Sequence, residues 1–202
     1  MAWRFYLSLR GPGPALAARR ADLLRLLGQV DLACVALDLA DTPEGERRNL
    51  VETLAPVVQD PGCALVLAGA QPDRLAGLIA ATGADGLCID VPAAAERSPV
   101  PAVRRHLGRD AMVLGAAGLS RHAAMLAAED GADAVVLGVP GALDDTLELV
   151  AWWAEVMAVP CVATGLADGD AVKAAFAAGA DFVDLGDLEW WTAGAVDALP
   201  SS

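Results

Sequence analysis

An α/β fold, a single (β/α)8 TIM barrel, is what this sequence predicts, and three observations predict it. The tripeptide Gly-Ala-Asp occurs at Gly83, Gly131 and Gly179, each copy 48 residues after the last. A fixed period of that size marks a repeated supersecondary unit, here two strand-helix pairs. Eight short apolar runs alternate with helical stretches along the chain. The length of 202 residues then allows about 25 residues per strand-helix pair, near the lower limit for this fold. Little remains for a second domain, so residues 1–202 are read as one barrel domain.

The predicted strands cover 4–9, 33–39, 64–68, 86–91, 112–116, 134–139, 161–164 and 182–185. Several are continuous apolar runs, as expected of strands covered on both faces. The first three intervening helices carry apolar stripes: Leu23, Leu24 and Leu27; Leu50, Leu54 and Val57; Leu75, Leu78 and Ile79. Gly83, Gly131 and Gly179 suit the left-handed position after a helix. The aspartate that follows each can hydrogen-bond the backbone of its helix-to-strand turn. These turns are expected at the N-terminal end of the barrel, away from any chemistry.

Composition narrows the function classes. The net charge is −13 and Lys173 is the only lysine, so the surface repels nucleic acid. No apolar run has the length of a membrane span, and no secretory leader is visible. A cytoplasmic protein with no membrane association is expected. Cys34, Cys63, Cys88 and Cys161 lack the spacing of a metal site and read as small core residues. No metal and no cofactor is called. His106 and His122, the only histidines, fall on helical stretches and are expected at the surface.

In a barrel of this type, chemistry sits at the C-terminal strand ends. The candidates there are Arg10, Asp38, Asp90, Ser120, Thr164, Gly165 and Asp184. Arg10 and Asp38, on neighbouring strands, can form a structural ion pair. Alternatively, the carboxylates can line a pocket for a cationic or polyhydroxylated ligand. The doublets Trp152-Trp153 and Trp190-Trp191 are expected to expose one member. Trp153 or Trp190 would then anchor a homodimer or another protein partner.

Residues 111–187 resemble the thiamine phosphate synthase and thiazole tautomerase family. Leu114-Gly115, fifteen residues, then Gly131-Ala132-Asp133 matches that family from its fifth strand to its sixth without a gap. Residues 83–91 and 179–187 resemble its fourth and eighth strands, and Phe5-Tyr6-Leu7 its first. The resemblance implies a barrel related to enzymes that join a pyrimidine methyl pyrophosphate to a thiazole phosphate with Mg²⁺.

The family's working residues are nevertheless replaced. Its Gln-x-Arg-x-Lys run on the second strand aligns with Ala36-Leu37-Asp38-Leu39-Ala40. Its Asn-Asp pair aligns with Ala68-Gly69, and its Val-His-Leu-Gly-Gln with Leu87-Cys88-Ile89-Asp90-Val91. Its Ser-x-His becomes Ala117-Gly118-Leu119, its lysine loop shrinks to Pro140-Gly141, and its Gly-Gly survives as Thr164-Gly165. Asp168, Asp170, Asp184, Asp187 and Glu189 crowd the region where the family seats a phosphate. The expectation is a divergent, non-catalytic or regulatory member that has lost synthase activity. A binder or altered enzyme with an acidic mouth, and a retained synthase, are the alternatives.

Overall fold

The structure is a computed structural model that describes residues 3–69 and 72–186. Trp190, Trp191, Asp187 and Glu189 lie outside the described residues. The strands are β1 Phe5–Leu9, β2 Leu32–Asp38, β3 Ala64–Ala68, β4 Gly86–Asp90, β5 Met112–Gly118, β6 Ala134–Leu137, β7 Cys161–Ala163 and β8 Phe182–Asp184. All pair in parallel in sequence order, and β8 returns to β1, closing the barrel through Phe5↔Val183 and Tyr6↔Asp184. The helices are α1 Gly13–Ala18, α2 Arg20–Leu27, α3 Glu44–Gln59, α4 Pro72–Thr82, α5 Val100–Leu107, α6 Arg121–Glu129, α7 Leu143–Val156 and α8 Gly169–Ala177.

Two apolar layers follow from the two-residue alternation of the strands. The outer layer lies between strands and helices, where Leu7, Leu37, Leu67 and Val135 meet helix residues such as Leu54 and Leu149. The inner layer fills the barrel with Tyr6, Cys34, Val66, Leu114, Val136 and Val162. At the N-terminal end, the Arg4 guanidinium lies 5.3 Å from the Phe182 ring centroid, over its face.

The first connection differs from the single stripe expected. It splits into α1 and α2, and Leu23 and Leu26 are the buried pair. Leu24 turns about 100° from Leu23 and is 48% exposed. The stripes of α3 and α4 are as expected, with Leu50, Leu54 and Val57 buried, Leu75 and Ile79 buried, and Leu78 packed against the same core.

The Gly-Ala-Asp turns do more than end helices. Gly83, Gly131 and Gly179 have φ of 73°, 94° and 104°, the left-handed region that glycine enters without strain. Each alanine is buried beneath the turn. Each aspartate reaches across to the preceding strand and not, as expected, to its own turn. Asp85 accepts from Leu65 N at 2.7 Å, Asp133 from Val113 N at 2.7 Å, and Asp181 from Cys161 N at 2.9 Å. The separation is 20 residues in every case. The repeat thus ties β4 to β3, β6 to β5 and β8 to β7 at the end opposite the mouth.

Trp153 corrects the expectation of an exposed helical anchor. It is 1% exposed, and its indole N–H donates to Val159 O at 2.7 Å. A side chain already buried and hydrogen-bonded within its own chain is not free to anchor a partner. Its neighbour Trp152 is half-buried under the Arg121 guanidinium, 4.8 Å from the ring centroid.

The ladder of aspartates carries a prediction. Asp133→Ala leaves the N–H of buried Val113 without its acceptor and should cost about 1–3 kcal/mol in chemical denaturation. Asp133→Asn keeps an acceptor oxygen and should cost less. Equal stability of Asp133→Ala and the parent would contradict the role.

Candidate functional site

The inward-facing residues at the C-terminal strand ends are small. Ala36 and Ala40, Ala68 and Gly69, Ala116 and Gly118 leave room where larger side chains would fill the mouth. The result is a cavity of about 850 Å³. Its far wall is backbone. Gly165 has φ +78°, and a Cβ there would lie 2.4 Å from Val139 C; Gly138 has φ +115°, and a Cβ would lie 2.4 Å from Thr164 O. Only glycine permits the loops after β6 and β7 to touch in this way.

Four of the residues read from the sequence carry the charge of the cavity: Arg10, Asp38, Asp90 and Asp184. Arg10 Nε and Asp38 Oδ2 are 3.8 Å apart, the pairing expected of neighbouring strands. The side chains are 69% and 27% exposed, so this is a long, solvated pair and not a buried one. Asp38 Oδ1 accepts from Ala40 N at 2.9 Å, which fixes the carboxylate at the end of β2. Asp90 is exposed at the end of β4, with no ion pair or hydrogen bond among the described residues.

Asp184 is different in kind. It is 2% exposed and holds four hydrogen bonds. Oδ1 accepts from Ser8 N at 2.9 Å and Gly186 N at 3.0 Å. Oδ2 accepts from the Ser8 and Thr164 hydroxyls, each at 2.7 Å. A buried carboxylate is tolerated when its lone pairs are filled in this way. Thr164 and Gly165 therefore join the site, Thr164 through Asp184 and Gly165 through the wall. Ser120 does not. It caps α6, its Oγ accepting from Ala123 N at 3.1 Å. A serine just before a helix is placed by that capping role.

Ser8 and Tyr6 were missed from the sequence. Both share the inward face of β1 with Arg10, and the alternation Tyr6, Ser8, Arg10 was the signal that could have found them. Tyr6 and Cys88 lie deep in the cavity. Burial pushes the Cys88 thiol up to about 12, partly opposed by a hydrogen bond to Tyr6 and reinforced by Asp90 and Asp184. Burial also raises the Tyr6 phenol well above its ordinary value. Cys63 is pushed up to about 12 and Cys161 to about 11, in each case chiefly by burial. A thiol held protonated at neutral pH is a poor nucleophile, so Cys88 is no catalytic thiolate.

The donor set also does not fit Mg²⁺. Among the described residues no three His, Cys, Asp or Glu gather around one point. Asp184 has its oxygens filled, and Asp38 is shared between Ala40 N and Arg10. The start of α8 is likewise occupied, since Asp168 caps it by accepting from Asp170 N at 3.1 Å and Ala171 N at 2.9 Å. The N–H groups of Gly165, Leu166 and Ala167, which line the cavity, take no partner among the described residues. His106 and His122 are exposed on α5 and α6, and neither is among the cavity-lining residues.

Two outcomes follow. Asp38→Ala should cost less than about 1 kcal/mol, because a solvated pair contributes little; a loss above 3 kcal/mol in denaturation would mean a buried pair. Stability should also fall in alkali. The folded chain holds the Cys88 proton up to about pH 12, whereas the free thiol loses it near 9.0. The native state binds more protons across that window, so the contribution is intact below pH 9.0 and is lost as pH rises towards 12. The slope is at most about 1.4 kcal/mol per pH unit for this thiol. A lower urea midpoint at pH 10.5 than at pH 8 is expected, and Cys88→Ala should reduce the difference; an unchanged midpoint in the parent would contradict it.

Comparison with known proteins adds ancestry. No family model matches the chain. The chain is 38% identical over 168 residues to a thiamine-phosphate synthase of Rhodospirillum centenum, spanning 79% of this chain and 76% of that one. It is 38% identical over 96 residues to a thiamine-phosphate synthase of Erythrobacter litoralis, spanning 43% and 45%. Among solved structures, the thiamine phosphate pyrophosphorylase of Pyrococcus furiosus superposes with a TM-score of 0.71 at 16% identity, over 92% of this chain and 85% of that one. That likeness concerns the fold, whereas the first relative carries the family. By fold and by sequence, the chain belongs to the thiamine-phosphate synthase family.

Proposed function

We propose that this chain is a family member that no longer joins two phosphorylated precursors, and that its open mouth binds a small cationic or polyhydroxylated molecule. The single observation carrying this reading is the charge of the cavity. Among its described lining residues Arg10 is the one cationic side chain, set against Asp38, Asp90 and Asp184. Arg10 is also already turned to Asp38.

A synthase of this family must hold a pyrophosphate leaving group and neutralise it as it departs. Each carboxylate 5–6 Å from a phosphate charge opposes that by about 3 kcal/mol at an effective dielectric near 20. The capping of α8 by Asp168 removes donors that would otherwise favour an anion. An open cavity supports a ligand-binding role over a purely regulatory barrel with a filled mouth.

The second reading is a retained synthase. Its support is the 38% identity to a named synthase together with the unpartnered N–H groups of Gly165, Leu166 and Ala167. One assay separates the two. Purified protein incubated with the pyrimidine methyl pyrophosphate, the thiazole phosphate and Mg²⁺ should form no product. Turnover of roughly 1 s⁻¹ or faster would establish the second reading and overturn the first.

A further inference from the structure

The hydrogen bonds around Asp184 determine which way the neighbouring hydroxyls face. A hydroxyl has one proton to give and two lone pairs to offer. Ser8 Oγ–H and Thr164 Oγ1–H both give theirs to Asp184 Oδ2. Both residues line the cavity, and each hydroxyl, its proton committed, has only lone pairs left to offer a ligand. Because the two hydroxyls bond the same carboxylate oxygen, they flank one spot in the wall.

A second feature lies one inward position below Ser8 on β1. Tyr6 is 2% exposed and lines the cavity. Among the described residues its hydroxyl meets the Cys88 thiol, a weak hydrogen-bond partner. The charge also favours one sign. Among the described residues Asp184 is buried with four neutral donors and no cation beside it, and Asp90 stands unpaired at the rim.

The geometry points to a primary ammonium group as the anchoring end of the ligand, hydrogen-bonded to Ser8 Oγ and Thr164 Oγ1 with Tyr6 beneath it. This rests on the acidic-mouth reading and selects the cation over the polyol. An ammonium brings three donors and a positive charge to a wall of acceptors beside a buried carboxylate. A polyol brings donors without the charge, and a phosphate brings mainly acceptors.

Calorimetry at low salt and pH 7 on the purified full chain tests this with benzylamine, benzyl alcohol, myo-inositol and inorganic pyrophosphate. Benzylamine should bind at least tenfold tighter than benzyl alcohol. Tyr6→Phe and Asp90→Asn should each weaken it at least threefold while leaving the thermal midpoint of the free protein near that of the parent. Tighter binding of myo-inositol than benzylamine would overturn the ammonium inference and leave the acidic-mouth reading standing. Binding of pyrophosphate alone would overturn both. Failure of benzylamine to bind at 10 mM would overturn the inference.

A measurement that needs no ligand reads the same field. Cys88 is reached from the cavity, whereas Cys34, Cys63 and Cys161 are buried away from it. A methanethiosulfonate reagent modifies a cysteine when the thiolate sulfur attacks the reagent's sulfenyl sulfur and methanesulfinate leaves, giving a mixed disulfide. The 2-aminoethyl reagent should modify Cys88 at least tenfold faster than the 2-sulfonatoethyl reagent, with Cys88→Ala as control. Asp90→Asn should narrow the ratio. Equal rates for the two reagents on the parent would contradict a cation-selective cavity.

Discussion

Closing the barrel places β8 beside β1, and the Asp184 carboxylate is the tie across that seam. One oxygen takes the backbone of Ser8 and Gly186, and the other takes the hydroxyls of Ser8 and Thr164. The same four bonds hold β7, β8 and β1 in register at their C-terminal ends and fix the polarity of the cavity wall. Fold and site therefore share a residue. Removing its partners one at a time should disturb both, because a buried carboxylate left with unfilled lone pairs is costly.

The opposite end of the barrel is built by repetition. Three aspartates, 48 residues apart, each reach the strand before their own. The pairs β3–β4, β5–β6 and β7–β8 are thus stapled at the base, whereas at the mouth the Asp184 carboxylate ties β7, β8 and β1. Small residues and glycines occupy the mouth, and the space they leave is the cavity.

Most of the fold was legible because its signals are local and periodic. The glycine of each turn needs a positive φ, and the apolar runs have strand length. The partner of each aspartate was not legible, since the donor N–H lies on a neighbouring strand that only the closed barrel brings near. In α2 the expected Leu23 is buried and Leu27 packs against the core, but Leu26 takes the buried place expected of Leu24, which faces solvent. Within the site, Arg10, Asp38, Asp90 and Asp184 were readable as charges at strand ends. Ser120 was misread because a helix cap and a site hydroxyl look alike in sequence. Ser8 and Tyr6 were overlooked although they alternate with Arg10, because an isolated serine carries no functional weight until Asp184 lies across from it. Trp153 was read as an outward residue, but its indole N–H finds Val159 O and keeps it inside.

The central claim is that this mouth receives a cation and not a phosphate. A crystal structure of the protein grown with equal concentrations of benzylamine and inorganic pyrophosphate tests it most directly. The account predicts the amine nitrogen within hydrogen-bonding distance of Ser8 Oγ or Thr164 Oγ1, close to the Tyr6 hydroxyl. Pyrophosphate bound on the N–H groups of Gly165, Leu166 and Ala167, with the amine absent, would contradict it.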